Sequence, residues 1–187
     1  MTAYDLMLKT NDYLIRGGEL TEPQRANIVR QLLAARSSEQ TRVSYDKAMR
    51  NDTGMYPRYF IPPYNGGKKL QTVVPMSPKT HILSANAYEL EILRLLCLFA
   101  PEHPQVKEMV GGTLKRLRGT CFGNGCAAGE CFHAALPVLR FLIAAAPNET
   151  AWMNKLVSFF NAHYGDQKRH SGVQKYYALC LSEMDQE

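Results

Sequence analysis

Apolar residues recur along most of this chain at intervals of three and four positions, as on one face of an α-helix. Between Pro104 and Arg118 they form a single stripe with charged residues outside it, whereas Ala85–Phe99 is apolar on nearly every side. A helix that is apolar all round is expected to be buried. Similar patterns predict further helices over 3–15, 21–36, 41–50, 130–146, 148–164 and 172–184. The sequence therefore predicts an all-α fold in one domain over 1–187.

Local signals mark where several of these helices begin and end. Thr21 and Gln24 have the spacing of a capping box, and Pro23 lies in the first turn, where its missing N–H costs nothing. Pro101 and Pro147 each end a helix, because the residue before a proline disfavours helical geometry.

Residues 51–84 interrupt the helical pattern. The segment holds five of the ten prolines and three glycines, so it cannot be one long helix. Its aromatic residues favour an ordered, mostly extended insert over a flexible linker, or else they seal one end of the helical core. Tyr59–Ile61 and Leu70–Val74 resemble strands and Asn65–Gly67 resembles a turn, so one short hairpin is predicted here.

Two stretches of the chain align without a gap at an offset of 46 residues. Leu90–Pro101 and Leu136–Pro147 share a Leu-Arg pair, an Ala-Pro pair and apolar character at most other positions. A two-helix unit that repeats every 40–50 residues or so is typical of stacked antiparallel αα-hairpins. We therefore expect a short array made of hairpins over 85–118 and 130–164, a capping helix over 172–184 and an atypical N-terminal pair.

The repeat places two arginines, Arg94 and Arg140, at matching positions in very apolar helices. They either pair with a carboxylate such as Glu89 or Glu91, or line a concave face of the array and bind an anionic ligand. In the second case the insert would complete the binding surface with Tyr56, Arg58, Tyr59, Tyr64, Lys68 and Lys69.

Composition limits the class of protein. Hydrophobic residues make up 45% and charged residues 21% of the 187 residues, an ordinary balance for a globular chain. No apolar run is long enough to cross a bilayer and the N-terminus lacks a signal-peptide pattern, so a cytoplasmic location is predicted. The net charge of +5 leaves a basic, nucleic-acid-associated protein as an alternative, although no nucleic-acid motif accompanies it.

Three of the five cysteines lie in TCFGNGCAAGECFH, each five positions from the next. The odd number of cysteines, with Cys97 and Cys180 inside apolar runs, argues against a disulfide framework. The stretch is either a glycine-rich link with structural cysteines or a site for a metal such as zinc, with a spacing looser than the usual pair. The candidate ligands are Cys121, Cys126, Cys131 and His133, with His163 or His170 as other sources of a fourth ligand.

Cys131 has a separate reason to be reactive. It lies in the first turn of a predicted helix, where the helix dipole lowers the pKa of a thiol. An enzyme centred on Cys131 would use His133 or another histidine as its base and Glu130 as a further acid–base group. His133 is about 200° around the helix from Cys131, so these two side chains do not share a face.

Stacked αα-hairpins with a glycine-rich link, and a Cys/His pair at a helix start in GECFH, resemble the α/α-toroid class. Terpenoid cyclases, protein prenyltransferase β-subunits and lanthionine synthetase cyclases share that architecture. The resemblance covers residues 84–187. It implies zinc held at inner helix ends by cysteine and histidine, for which Cys131 and His133 are the matching positions.

Two function classes follow from these observations. The first is a module that binds a protein or a small molecule, including an anionic one, through the concave face and the 51–84 insert. The second is a thiol- or zinc-dependent enzyme centred on Cys131. A membrane partner is not expected in either case, and a homo-oligomer is compatible with both.

Overall fold

A computed structural model describes residues 1–48, 58–63, 70–163 and 171–185; for residues 46–48 it describes the backbone alone. Within these ranges the chain forms eight α-helices and a 3₁₀ turn at Phe122–Asn124, with no strand. The helices are α1 (Ala3–Ile15), α2 (Glu22–Ala34), α3 (Glu39–Ala48), α4 (His81–Phe99), α5 (Pro104–Arg118), α6 (Glu130–Ala145), α7 (Thr150–His163) and α8 (Ser171–Met184). The prediction of an all-α fold is confirmed.

Helices α4 and α6 form the centre of the molecule. Leu83–Cys97 of α4 and Ala134–Ile143 of α6 are buried throughout, and the two helices pack against each other. They run in the same direction, because Glu130 contacts the start of α4 while Arg140 contacts Glu91 further along it. Neither α4, α6 nor any other helix in the described ranges combines the length and apolar character needed to cross a membrane.

The two central helices end in the same way. Ala100 follows α4 with φ −149° and ψ 55°, and Ala146 follows α6 with φ −150° and ψ 59°. Each donates its N–H to the carbonyl four positions earlier, that of Leu96 or Leu142. The matching Ala-Pro sequences thus give matching helix ends, while the 46-residue repeat as a whole stays a prediction.

The insert does not form the predicted hairpin strands. Tyr59–Ile61 and Leu70–Val74 have no strand partner in the described residues, so the strand prediction is wrong. The backbone around Tyr59 bonds elsewhere: its N–H donates to the Glu89 carboxylate at 2.6 Å, and its carbonyl accepts from the Ser37 N–H at 2.8 Å. These bonds tie the insert to α4 and to the end of α2 instead of to itself.

The boundaries of the insert also differ from the prediction. Helix α4 begins at His81, capped by the Thr80 hydroxyl, so the end of the predicted insert is helical. The predicted turn at Asn65–Gly67 lies outside the described residues.

Glu130, the first residue of α6, binds the start of α4. Its carboxylate accepts hydrogen bonds from the backbone N–H of Thr80 at 3.0 Å and of Leu83 at 3.2 Å. The Lys79 N–H and the Thr80 hydroxyl donate to it as well. Burial alone would raise the pKa of Glu130, but these hydrogen bonds favour the carboxylate and lower the pKa. Glu130 is therefore a charged cap that joins the N-termini of the two central helices.

Replacing Glu130 with alanine is expected to lower the free energy of unfolding by about 1–2 kcal/mol at neutral pH, as loss of a helix cap does. Because the folded-state pKa is lowered, the contribution is present above the unfolded-state pKa and is lost as the pH falls through the folded-state pKa. Urea titrations at neutral and acidic pH measure both effects.

The control for this variant is Glu102→Ala, which removes an exposed carboxylate and should change the free energy of unfolding by no more than about 0.5 kcal/mol. If the difference in the free energy of unfolding between wild type and Glu130→Ala were the same at neutral and acidic pH, the capping role would be contradicted.

Candidate metal centre

The glycine-rich link between α5 and α6 is a tight loop. The side-chain amide of Asn124 donates to the carbonyls of Arg118 and Thr120, each at 2.9 Å. The indole N–H of Trp152, on α7, donates to the carbonyl of Gly123 at 2.6 Å. The loop is thus fixed to the end of α5 on one side and to α7 on the other.

Two glycines are required by this geometry. A Cβ at Gly123 would overlap the carbonyl oxygen of Leu117, a backbone atom that cannot move aside cheaply. Gly125 has a φ of 78°, in the left-handed region that favours glycine. The sequence pattern of a glycine-rich turn therefore has a steric basis at these two positions.

The loop and the start of α6 bring three sulfur atoms together. The Sγ atoms of Cys121, Cys126 and Cys131 lie within 4.8 Å of one another, and those of Cys121 and Cys131 are 3.4 Å apart. All three are free thiols; Cys121 is exposed and the other two are half-buried. Thiolates bound to one tetrahedral zinc are about 3.8 Å apart, given a Zn–S bond of about 2.3 Å. The cluster could therefore hold a metal ion.

The pKa of Cys131 shifts in the direction opposite to the prediction. Burial, together with the neighbouring thiols of Cys121 and Cys126, raises it to about 12. These effects oppose the helix dipole: burial disfavours the charged form of the thiol most, and the two ionisable thiols beside it disfavour that form further. The prediction of a low-pKa thiol at Cys131 is thus wrong, and a cation among the three sulfurs is what would favour the thiolate form.

Glu130 and His133, the other predicted catalytic residues, face a different part of the molecule from the sulfur cluster. Both line a cavity of about 580 Å³ at the N-termini of α4, α6 and α8, whose wall also includes Met76, Thr80 and Val173. The His133 ring packs edge-on against Phe132, with centroids 5.9 Å apart. The predicted trio of Cys131, His133 and Glu130 is therefore divided between two sites.

No described histidine or carboxylate joins the three sulfurs in a common ligand group. His133, predicted as the fourth ligand, is not part of that group. His163 instead stacks on Phe159 with centroids 4.7 Å apart, and its Nδ1 lies 2.9 Å from the Phe159 carbonyl oxygen. His170 lies outside the described residues.

Arg94 and Arg140 are both held in a buried ion cluster. Arg140 binds Glu91 at 2.7 Å and Glu183 at 2.7 Å, and Arg94 binds Glu183 at 2.6 Å. The side-chain oxygen of Asn11 accepts from both guanidinium groups, at 2.9 Å from Arg140 and 3.3 Å from Arg94. Their charges are balanced inside the protein, as the carboxylate-pairing interpretation predicts, and Arg140 is fully buried.

Arg58 and Tyr59, the described members of the predicted ligand surface, are buried as well. Arg58 binds Asn86 at 2.9 Å and Glu89 at 3.3 Å, and Glu89 also pairs with Arg116. These residues join the insert to α4 and α5. The other four predicted ligand residues lie outside the described ranges: Tyr56, Tyr64, Lys68 and Lys69.

Several residues that shape these sites were not identified from the sequence. Trp152 fixes the cysteine loop although it lies on another helix, and Glu183 and Asn11 complete the arginine cluster from the two ends of the chain. Trp152 is the only tryptophan of the chain, which is a weak signal for a special role. Glu183 and Asn11 carry no local signal, because their partners are distant in sequence.

Replacing Gly123 with alanine is expected to lower the free energy of unfolding by about 1–3 kcal/mol, because the added methyl group overlaps the Leu117 carbonyl. The same shift of the loop should weaken metal binding by the cysteines. Gly111→Ala is the matched control, since its Cβ would meet no atom within 4 Å and alanine favours a helix by about 0.5–1 kcal/mol. Equal stability of the two variants in urea would contradict the steric role of Gly123.

Comparisons of this chain with protein-family models, with curated proteins and with solved structures found no match.

Proposed function

We propose that this chain is a zinc-binding helical protein whose metal centre consists of Cys121, Cys126 and Cys131. The convergence of three sulfur atoms within 4.8 Å carries the proposal. Thiolates are soft ligands that select zinc among the abundant divalent metals, whereas magnesium and calcium prefer oxygen. The resemblance to α/α-toroid proteins, in which cysteine at a helix start can hold zinc, agrees with this choice.

The surrounding structure supports a metal centre over three unrelated cysteines. Two of the ligands belong to a loop whose shape is fixed by the hydrogen bonds of Asn124 and Trp152, and the third lies in the first turn of α6. The N-terminus of α6 carries partial positive charge, which favours thiolate ligands. By contrast, Cys97 and Cys180 are isolated in the apolar core. The metal would therefore hold the loop, α6 and, through Trp152, α7 together.

A direct test is zinc titration of protein purified without a histidine tag, with a chromophoric chelator as competitor. The expected result is one zinc per chain, accompanied by a change in the emission of Trp152, whose indole bonds to the loop. A stoichiometry far below one, or zinc binding that persists after all three cysteines are replaced by serine, would refute the proposal.

Small-molecule binding is a second candidate function, favoured by the cavity that Glu130 and His133 line. Its volume of about 580 Å³ lies within the range of ligand sites, about 300–1,000 Å³. Ser171 lines this cavity and is exposed, so a larger side chain at this position should fill the cavity without disturbing the core. Fragments detected by ligand-observed NMR should lose binding in Ser171→Trp; fragments that bind both proteins equally would argue against this cavity.

A further inference from the structure

The three cysteines account for three of the four ligands that zinc usually takes. Structural zinc sites are closed by four protein ligands, whereas sites with three protein ligands leave one position for an incoming molecule. No histidine or carboxylate in the described ranges completes the sulfur group. The remaining two cysteines, Cys97 and Cys180, are buried among apolar side chains and only 7% and 0% exposed.

The cluster lies partly at the protein surface. Cys121 is exposed, so at least one of the three sulfurs lies at the protein surface. The loop that carries Cys121 and Cys126 cannot easily fold over the metal, because Asn124 holds it to α5 and Trp152 holds it to α7. A molecule from outside therefore reaches the cluster on the side of Cys121.

Charge and softness determine which molecule fits. Three thiolates contribute three negative charges against the two positive charges of zinc, so the centre carries a formal charge of about −1. Such a centre attracts hard oxygen anions weakly, because its ligands already offset the charge on the metal. A polarisable sulfur donor keeps its affinity, since soft ligands suit a thiolate-bound metal.

We propose that the fourth position of the zinc centre binds an exogenous thiol; this inference rests on the zinc centre proposed above. On binding, a zinc–sulfur bond forms and the S–H bond breaks. The S–H bonding electrons stay on sulfur and the proton passes to solvent, so no oxidant or reductant is needed. The ligand class is a small molecule with an accessible thiol, because the cysteines outside the cluster, Cys97 and Cys180, are buried.

Cobalt(II) substitution tests metal binding and thiol binding separately, because cobalt–thiolate centres absorb visible and near-ultraviolet light. Binding of one cobalt to the protein alone reads out the zinc-site proposal. Adding 2-mercaptoethanol should then intensify the sulfur-to-cobalt absorption in a saturable way, with the cobalt still bound after desalting. Ethanol at the same concentrations is the matched control and should leave the spectrum unchanged.

The absorption spectrum after thiol addition decides between the outcomes. A saturable change with cobalt retained on the protein supports the proposal. An unchanged spectrum overturns it and leaves the zinc-site proposal standing, and removal of cobalt by the thiol overturns it as well.

Discussion

Replacing Glu89 with alanine is expected to lower the free energy of unfolding by about 3–5 kcal/mol, the usual cost of breaking a buried ion pair from one side. Glu89 is fully buried, pairs with Arg58 and Arg116, and accepts the backbone N–H of Tyr59 at 2.6 Å. Without this carboxylate, two buried guanidinium groups lose the negative charge that faces them. Urea denaturation at neutral pH measures the loss.

Glu108→Ala is the matched control for this prediction. Glu108 binds Arg36 at 2.8 Å, but its side chain is 56% exposed. An exposed ion pair contributes at most about 1 kcal/mol. Similar losses in the two variants would mean that the Glu89 cluster does not hold the insert and α5 against α4.

Replacing Cys131 with alanine is expected to lower the affinity for zinc by about a thousandfold. Structural zinc sites bind with about 10–16 kcal/mol, so each of three or four ligands contributes several kcal/mol. The sulfur of Cys131 lies 3.4 Å from that of Cys121, so the two are placed to share one metal ion. Competition with a chelator of known affinity gives the change.

Cys97→Ala provides the control for this loss. Cys97 is buried in α4, and burial raises the pKa of its thiol to about 12. Its removal can lower stability through the lost packing, but it should leave zinc affinity unchanged. Equal zinc affinity of Cys131→Ala and wild type would exclude Cys131 as a ligand.

Where local chemistry decides the structure, the sequence was a good guide to the fold. The capping box predicted at Thr21 is present, with the Gln24 side chain accepting the Thr21 N–H at 2.8 Å. The all-round apolar pattern of Ala85–Phe99 correctly predicted the buried helix. The insert was predicted less well, because its backbone bonds to Glu89 and Ser37, and such distant partners leave no pattern in a short window.

The candidate site was only partly predictable for the same reason. The spacing of Cys121, Cys126 and Cys131 raised the possibility of a metal site without deciding it, since the shape of the loop also depends on Trp152, which lies on another helix. The pKa of Cys131 could not be inferred from its helix position alone, because burial, followed by the neighbouring thiols, raises it. One of the two carboxylate partners of Arg140 was predicted. Glu91 was among the candidates named from the sequence, whereas Glu183 comes from the final helix and was not.

X-ray absorption at the zinc edge of the zinc-loaded, untagged protein examines the metal centre itself. The expected spectrum contains three sulfur neighbours at about 2.3 Å, one for each of the three clustered cysteines. Protein loaded in the presence of a small thiol should show four sulfur neighbours at that distance. A first shell made only of nitrogen and oxygen would contradict the assignment of zinc to Cys121, Cys126 and Cys131.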